Sequence, residues 1–200
     1  DSPVAVWMLM KRGVGVLPLF MDQRPFVGDS YVERAITAFK HMANYVPRSS
    51  YKLYAAPMGD VMQRITETEE PRFTCVMCKR SMYRIAEEFA KRYEALAVIT
   101  GESMGQVASQ TLSNMYVLSS SIQLPILRPL VGLDKIEIED IARVIGTYNL
   151  TAKSTEGCKV VPEGPATRSR IEIIEELETD LDLVALCKEA AAGISVIAEA

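Results

Sequence analysis

The sequence has few of the residues that build metal centres or disulfide scaffolds, with one histidine and four cysteines among 200 residues. It contains no apolar run near the ~20 residues that a membrane-spanning helix requires, and no secretory signal pattern. Because so few cysteines do not indicate a secreted disulfide scaffold, we expect a cytoplasmic protein with no membrane partner. Structural zinc usually needs four nitrogen or sulfur ligands, and His41, in a helical pattern, is expected to have a packing or surface role.

The charge balance also limits the function classes. The formal net charge of −4 argues against a protein whose whole surface binds nucleic acid, although it allows a local basic patch. Apolar residues make up 48% and charged residues 24%, which is typical of one globular domain with a sizeable core.

The hydrophobic periodicity alternates between strand and helix patterns. The predicted strands cover residues 14–20, 52–56, 95–99 and 126–128. The predicted helices cover residues 2–10, 30–42, 75–93, 104–115, 134–145, 168–177 and 181–192, with a brief helix around 61–65 and a loop at 151–167. Strands that alternate with helices of this length predict βαβ units and a parallel sheet. We expect Ser2 to cap the first helix and Asp134 to cap the helix at 134–145.

The segment Gly101–Thr111, with the sequence GESMGQVASQT, directly follows the predicted strand at 95–99. In open parallel sheets, ligands bind at the carboxyl ends of strands, and a glycine there lets a ligand approach the backbone. An ordinary strand–turn–helix connection would explain the same pattern. The segment is therefore a candidate ligand site whose assignment depends on the rest of the chain.

The cysteines fall into two kinds. Cys75 and Cys78 form a C-x-x-C pair at a predicted helix start, where the helix dipole is expected to lower their pKa values. Such a pair permits redox exchange, metal binding or an iron–sulfur cluster. Cys158 lies in a loop rich in glycine and proline. Cys187 lies on an apolar helix face, and we interpret it as a small buried hydrophobic residue.

Three strings together resemble the PP-loop ATPase domain of the tRNA 4-thiouridine synthetase family, also called tRNA uracil 4-sulfurtransferase. Gly101–Thr111 is the longest string, and a second runs from Leu127 to Lys135. Asp1-Ser2 looks like the last two residues of the family's Ser-Gly-Gly-x-Asp-Ser motif. The resemblance implies a Rossmann-like, adenine-nucleotide α-hydrolase-like three-layer fold with a parallel sheet. We expect residues 1–200 to be a single such domain that lacks the first strand and the motif glycines.

The resemblance also implies a nucleotide site that uses ATP and Mg²⁺. Asp1 is the candidate that assists Mg²⁺ and pyrophosphate, and Ser2 completes the motif. The nucleotide contacts implied by position in the family are Phe20 and Met21 for adenine, with Lys79, Gly101 and Gln110, while Arg128 and Asp134 match the second string. Phe20 and Met21 would read as plain core from composition alone, and Asp134 as a helix cap.

For the sulfur chemistry, the resemblance implies a catalytic or cluster role for Cys158 together with Cys75 and Cys78. The stretch after Cys158 is too short for the rhodanese domain of many bacterial members, so the chain resembles archaeal-type members. Three thiolates are compatible with an iron–sulfur cluster or with a persulfide relay, and the sequence leaves both open.

The implied activity is ATP-dependent sulfur transfer to a tRNA uridine, through adenylation of O4 and attack by sulfur. The implied partners are tRNA, bound through upstream domains, and a sulfur donor protein or sulfide, with a homodimer left open. A role in thiamine biosynthesis is also associated with the family. The alternative is a non-catalytic nucleotide-binding or thiol-redox module of the same fold.

Overall fold

The computed structural model describes residues 1–46, 50–152 and 157–200. The helices are α1 (Ser2–Met10), α2 (Ser30–Ala43), α3 (Gly59–Ile65), α4 (Thr74–Arg92), α5 (Leu112–Ser119), α6 (Lys135–Val144), α7 (Tyr148–Thr151), α8 (Ile171–Asp180) and α9 (Leu183–Ala192). The strands are β1 (Leu19–Asp22), β2 (Lys52–Pro57), β3 (Val98–Ile99), β4 (Ile126–Leu127) and β5 (Ser195–Glu199). Within the described ranges, none of the helices is long and apolar enough to cross a membrane.

The strands form two ladders. β1 pairs in parallel with β2, with Leu19 opposite Tyr54, and β3 pairs in parallel with β4. These pairs confirm the α/β class and the parallel strands. One strand that the sequence did not predict, β5, pairs antiparallel with β2. The sequence offered no separate signal for β5, since its short apolar stretch directly follows a helix.

Two other predicted boundaries shift for backbone reasons. The strand expected at 14–20 begins only at Leu19, after Gly13 with a positive φ of 86° and after Pro18, which has no amide hydrogen to donate. The helix expected at 104–115 begins only at Leu112. Gly105, at φ 78°, interrupts helical geometry, and the segment before α5 contains a 3-10 turn at Ala108–Gln110 instead.

The predicted caps have mixed outcomes. Asp134 caps α6 as expected: its Oδ1 accepts from the Glu137 amide at 2.9 Å, and the Glu137 carboxylate accepts from the Asp134 amide at 2.7 Å. The Ser2 cap was wrong, because Asp1 holds the cap position of α1 and Ser2 is the first helical residue. The predicted loop at 151–167 overlaps α7 at Thr151, and its residues 153–156 lie outside the described residues.

The largest core cluster surrounds α4, which packs against α3, α5 and α9. Cys187 is 1% exposed in this cluster, which confirms its interpretation as a buried hydrophobic residue. A second cluster joins α1 to α6. His41 has the expected packing role, with its Nε2 2.6 Å from the Ile145 carbonyl oxygen at the end of α6. α4 therefore lies at the centre of the molecule, with the candidate site at its amino-terminal half.

Candidate active site

The start of α1 and the strand β1 line one open cleft of about 820 Å³. Four of the residues selected from the sequence lie in its wall, namely Asp1, Ser2, Phe20 and Met21. Phe20 and Met21 are only partly buried, so their side chains retain surface that a ligand can contact. The fold thus brings the two halves of the expected nucleotide site, phosphate side and adenine side, to a single cleft.

Gly101 lies directly against the start of α1. A Cβ atom at this position would be 2.6 Å from the Ser2 backbone nitrogen and 2.8 Å from its Cα. A side chain at position 101 would therefore displace the start of α1. Among the described residues no side-chain hydrogen bond caps this helix start, and Asp1, Ser2 and Pro3 line the cleft, so the start of α1 is a candidate anion-binding end.

Two cations of the cleft were not selected from the sequence. Lys135 donates to the Asp1 carboxylate at 3.1 Å, and Arg34 stacks over the Tyr31 ring in the same wall. Lys135 directly follows Asp134 in the second family string, so a signal for it was present. Arg34 lies on the polar side of α2, where helical periodicity gives no reason to select it.

A buried carboxylate next to Gly101 organises the polar side of the site. Glu102 accepts from Lys79 Nζ at 2.9 Å, from Arg128 Nε at 2.9 Å, and from the Tyr83 hydroxyl. Burial by itself would raise the pKa of Glu102, but the charge of Lys79 and the hydrogen bonds from Tyr83, Lys79 and Arg128 outweigh it and lower that pKa. Lys79 and Arg128 were selected from the sequence, and both bind Glu102, which was not selected.

Gln110 lies at the end of the 3-10 turn and is 9% exposed. Its Oε1 atom has no hydrogen-bond partner among the described residues. Buried acceptors are normally satisfied, so this one is available to an N–H or O–H group of a ligand. The observation agrees with the nucleotide-contact role expected from the sequence, which stays a prediction.

The three selected cysteines are neighbours. Cys75 and Cys158 are half-buried, whereas Cys78 is buried and accepts a hydrogen bond from Gln23 Nε2 at 3.2 Å. Lys79 is close enough to both C-x-x-C thiols to influence their ionisation.

The expected lowering of the thiol pKa values was wrong. Burial raises the pKa of Cys75, and the adjacent Cys158 thiol adds to that effect. Burial raises the pKa of Cys78 to about 12, with contributions from Cys158 and Cys75, while Lys79 and the Gln23 hydrogen bond oppose it. Desolvation disfavours a thiolate here more than the positive charge of Lys79 favours it.

The structure supports the two expected metal sites, an iron–sulfur cluster and a Mg²⁺ site, to different degrees. Within residues 1–46, 50–152 and 157–200, no group of three or more His, Cys, Asp or Glu side chains is arranged to hold a metal ion. The iron–sulfur cluster expected at the three thiols therefore stays a prediction. Asp1 does fit Mg²⁺, because that ion takes one or two protein carboxylates and completes its shell with phosphate oxygens and waters.

The segment that follows Cys158 is attached to the rest of the molecule at two points. The Lys159 amide donates to the Phe26 carbonyl at 3.0 Å, next to Gln23 and β1. The Ala166 amide donates to the Arg72 carbonyl at 2.9 Å, three residues before Cys75. These bonds hold the loop across the start of α4, which explains why its thiol lies beside the C-x-x-C pair.

Known proteins resemble the chain over most of its length. A "Probable tRNA sulfurtransferase" of Methanosarcina mazei is 38% identical over 197 residues, which is 98% of this chain and 49% of that protein. Another "Probable tRNA sulfurtransferase", from Caldanaerobacter subterraneus subsp. tengcongensis, is 41% identical over 184 residues, covering 91% of this chain and 48% of that protein. The chain thus spans about half the length of these curated relatives.

A solved structure described as a 4-thiouridine synthetase–RNA complex with bound ATP superimposes with a TM-score of 0.92 at 35% identity. The match covers 99% of this chain and 53% of that one. The family model "Thiamine biosynthesis protein (ThiI)" matches residues 1–183. The chain therefore belongs to the thiamine biosynthesis protein (ThiI) family.

Proposed function

We propose that this chain is the ATP- and sulfur-handling domain of a tRNA sulfurtransferase that forms 4-thiouridine. One observation carries the proposal: a series of neighbouring groups leads from the cleft to the thiols. Ser2 abuts Gly101, the next residue Glu102 binds Lys79, and Lys79 acts on the ionisation of Cys75 and Cys78. Relatives named tRNA sulfurtransferases and the ATP-bound structural neighbour support the same function.

In the proposed first step, ATP binds with its adenine against Phe20 and Met21 and its phosphates at the start of α1. The uridine O4 attacks the α-phosphorus, the bond to pyrophosphate breaks, and AMP is joined to O4. Lys135 and Arg34, in the same cleft, neutralise phosphate charge. Mg²⁺ held by Asp1 would supply further charge neutralisation on the departing pyrophosphate.

In the proposed second step, a sulfur donor protein has delivered a sulfur atom to Cys158 as a persulfide. The outer sulfur attacks C4 of the uridine, the C4–O bond breaks, and AMP departs with that oxygen. The base is then linked to Cys158 through a disulfide bond.

A second thiol must release the product. The Cys75 thiolate attacks the Cys158 sulfur, which breaks the S–S bond, leaves sulfur on C4 and joins the two cysteines as a disulfide. An external thiol reductant supplies the two electrons and two protons that restore both thiols. We assign this role to Cys75 because it is half-buried like Cys158, whereas Cys78 is buried and its pKa is about 12.

The redox-module alternative is less well supported. A dithiol that cycles by itself needs both C-x-x-C thiols to react, and Cys78 is buried, which raises its pKa to about 12. The redox-module alternative also gives no role to the cleft or to Cys158.

The test uses the full-length protein that carries this chain, with Cys158→Ala and the matched control Cys187→Ala. We expect Cys158→Ala to lower 4-thiouridine formation, measured by nucleoside mass spectrometry of tRNA, by about two orders of magnitude or more, with ATP affinity unchanged. Cys187→Ala removes a buried thiol of α9 outside the site and should retain thiolation. Normal thiolation by Cys158→Ala would refute the sulfur step, and absence of ATP binding by the unmodified protein would refute the function.

A further inference from the structure

One buried side chain joins the nucleotide segment to the loop that carries Cys158. Asn114 lies in the first turn of α5 and is fully buried. Its Nδ2 donates to the Ala108 carbonyl at 2.8 Å and to the Ala166 carbonyl at 2.8 Å. Its Oδ1 accepts from the Ser169 amide at 2.9 Å. A single amide group therefore holds two segments that are more than fifty residues apart in the sequence.

The two ends of this connection lie at the two halves of the site. Ala108 begins the 3-10 turn that ends at Gln110, whose side-chain oxygen lacks a partner among the described residues. The Ala166 amide donates to the Arg72 carbonyl just before the C-x-x-C pair, and Cys158 lies earlier in the same loop. A displacement of the turn by a bound nucleotide must therefore move the Cys158 loop or strain the Asn114 hydrogen bonds.

A second connection runs alongside the first. The Thr111 hydroxyl accepts from the Asn114 amide at 3.2 Å, which caps α5, and donates to the Thr167 carbonyl at 2.6 Å. Unlike Asn114, it lies near the surface. Two residues three positions apart at the start of one helix thus bind consecutive carbonyls of the Cys158 loop, at Ala166 and Thr167.

We propose that Asn114 is a positioning residue that couples ATP binding to the placement of Cys158. This inference rests on the proposed function, since it assigns the turn to ATP and the loop to sulfur transfer. Asn114 itself contacts neither substrate. The direction of the coupling is reciprocal, because any change that ATP makes in the loop must be matched by a change that the loop makes in ATP affinity.

Asn114→Asp is the most direct variant. It keeps the size of the side chain but replaces Nδ2 by an oxygen that faces two carbonyl oxygens, so both donor bonds are lost. Thr111→Val removes the second connection at a surface position. If Asn114→Asp fails to fold, this variant still tests whether the connection couples ATP binding to Cys158. Glu87→Gln is the matched control, because Glu87 is a buried hydrogen-bonding residue that accepts from the Gln123 and Leu124 amides, away from both loops.

The experiment measures the alkylation rate of Cys158 by iodoacetamide, with and without ATP, in the full-length protein and by peptide mass spectrometry. We expect ATP to change this rate by about fivefold or more in the unmodified protein and in Glu87→Gln. In Asn114→Asp the ATP effect should fall below about twofold, and kcat for thiolation should fall about tenfold while KM for ATP stays within about threefold. Thr111→Val should show the same change to a smaller degree.

The outcomes separate the two proposals. If ATP binds but leaves Cys158 alkylation unchanged in the unmodified protein, the coupling is refuted and the proposed function stands. The coupling is also refuted if both variants respond to ATP as the unmodified protein does. If the unmodified protein binds no ATP, the proposed function fails, and the coupling fails with it.

Discussion

Helix α4 carries two polar networks of the same design on neighbouring faces. Lys79 and Tyr83, one turn apart, bind the buried Glu102. Arg80 and Arg84, also one turn apart, bind the buried Glu178 of α8.

The two networks differ in what surrounds them. Glu102 directly follows Gly101, which abuts the start of α1 at the cleft, and the Lys79 side chain remains 24% exposed. Arg80 is 0% exposed, and its guanidinium also donates to the Val117 carbonyl and the Ser120 hydroxyl. The same arrangement, a carboxylate bound by residues at i and i+4, therefore belongs to the candidate site on one face of α4 and to the scaffold on the other. The residues that surround the arrangement decide which of the two roles it has.

The largest expected effect is on the scaffold network. Glu178→Ala leaves the fully buried Arg80 without its carboxylate, so the free energy of unfolding should fall by about 3–5 kcal/mol. Urea denaturation measures the change. Replacing both partners, with Arg80→Met and Glu178→Leu, should recover most of this loss, because apolar side chains of similar volume need no partner. If the double variant is as unstable as the single one, the network is not merely a scaffold.

The site network should behave differently under the equivalent change. Glu102→Gln presents an amide nitrogen to donors that need an acceptor, so stability should fall by about 1–3 kcal/mol. Thiolation should fall further than this loss of stability explains, because Lys79 and Arg128 lose the charge that holds them. Measuring kcat and the free energy of unfolding in the same preparation separates the two effects. A variant with lowered stability but normal kcat would make Glu102 a second scaffold residue.

The smallest effect is a pH dependence. The pKa of Glu102 is lower in the folded protein than its ordinary value, so its contribution to stability is complete above that ordinary value. The contribution disappears as the pH falls through the folded pKa. The stability difference of about 1–3 kcal/mol between the unmodified protein and Glu102→Gln at neutral pH should therefore shrink in acid, as followed by denaturation at a series of pH values. A difference that grows in acid would contradict the assigned direction.

Local sequence patterns predicted most of the helices and strands. The amphipathic periodicity of α2 and α4 and the cap at Asp134 were confirmed because each depends on residues within a few positions of one another. The helix expected from Met104 was wrong because Gly105 takes a positive φ that the hydrophobic pattern does not register. β5 was missed because it pairs with β2, a segment far away from it in the sequence.

The residues of the candidate site were likewise predicted only in part from the sequence. The family resemblance selected residues that line the cleft, and the three neighbouring thiols, but it did not select Glu102 or Asn114 for a role. Those side chains gain their importance only from partners that are far away in the sequence, such as Arg128 and Ala166. The ionisation of the thiols also depended on burial, which a C-x-x-C spacing does not reveal.

By itself, the sequence determined the family, the order of most helices and strands, and the residue types available for binding nucleotide and transferring sulfur. These properties follow from local periodicity and from strings of adjacent residues. The tertiary structure alone decided that Glu102 faces the site while Glu178 faces the core, and that Cys78 is too buried to ionise readily. Burial and long-range hydrogen bonds set the energy of a charge, and neither exists until the chain has folded.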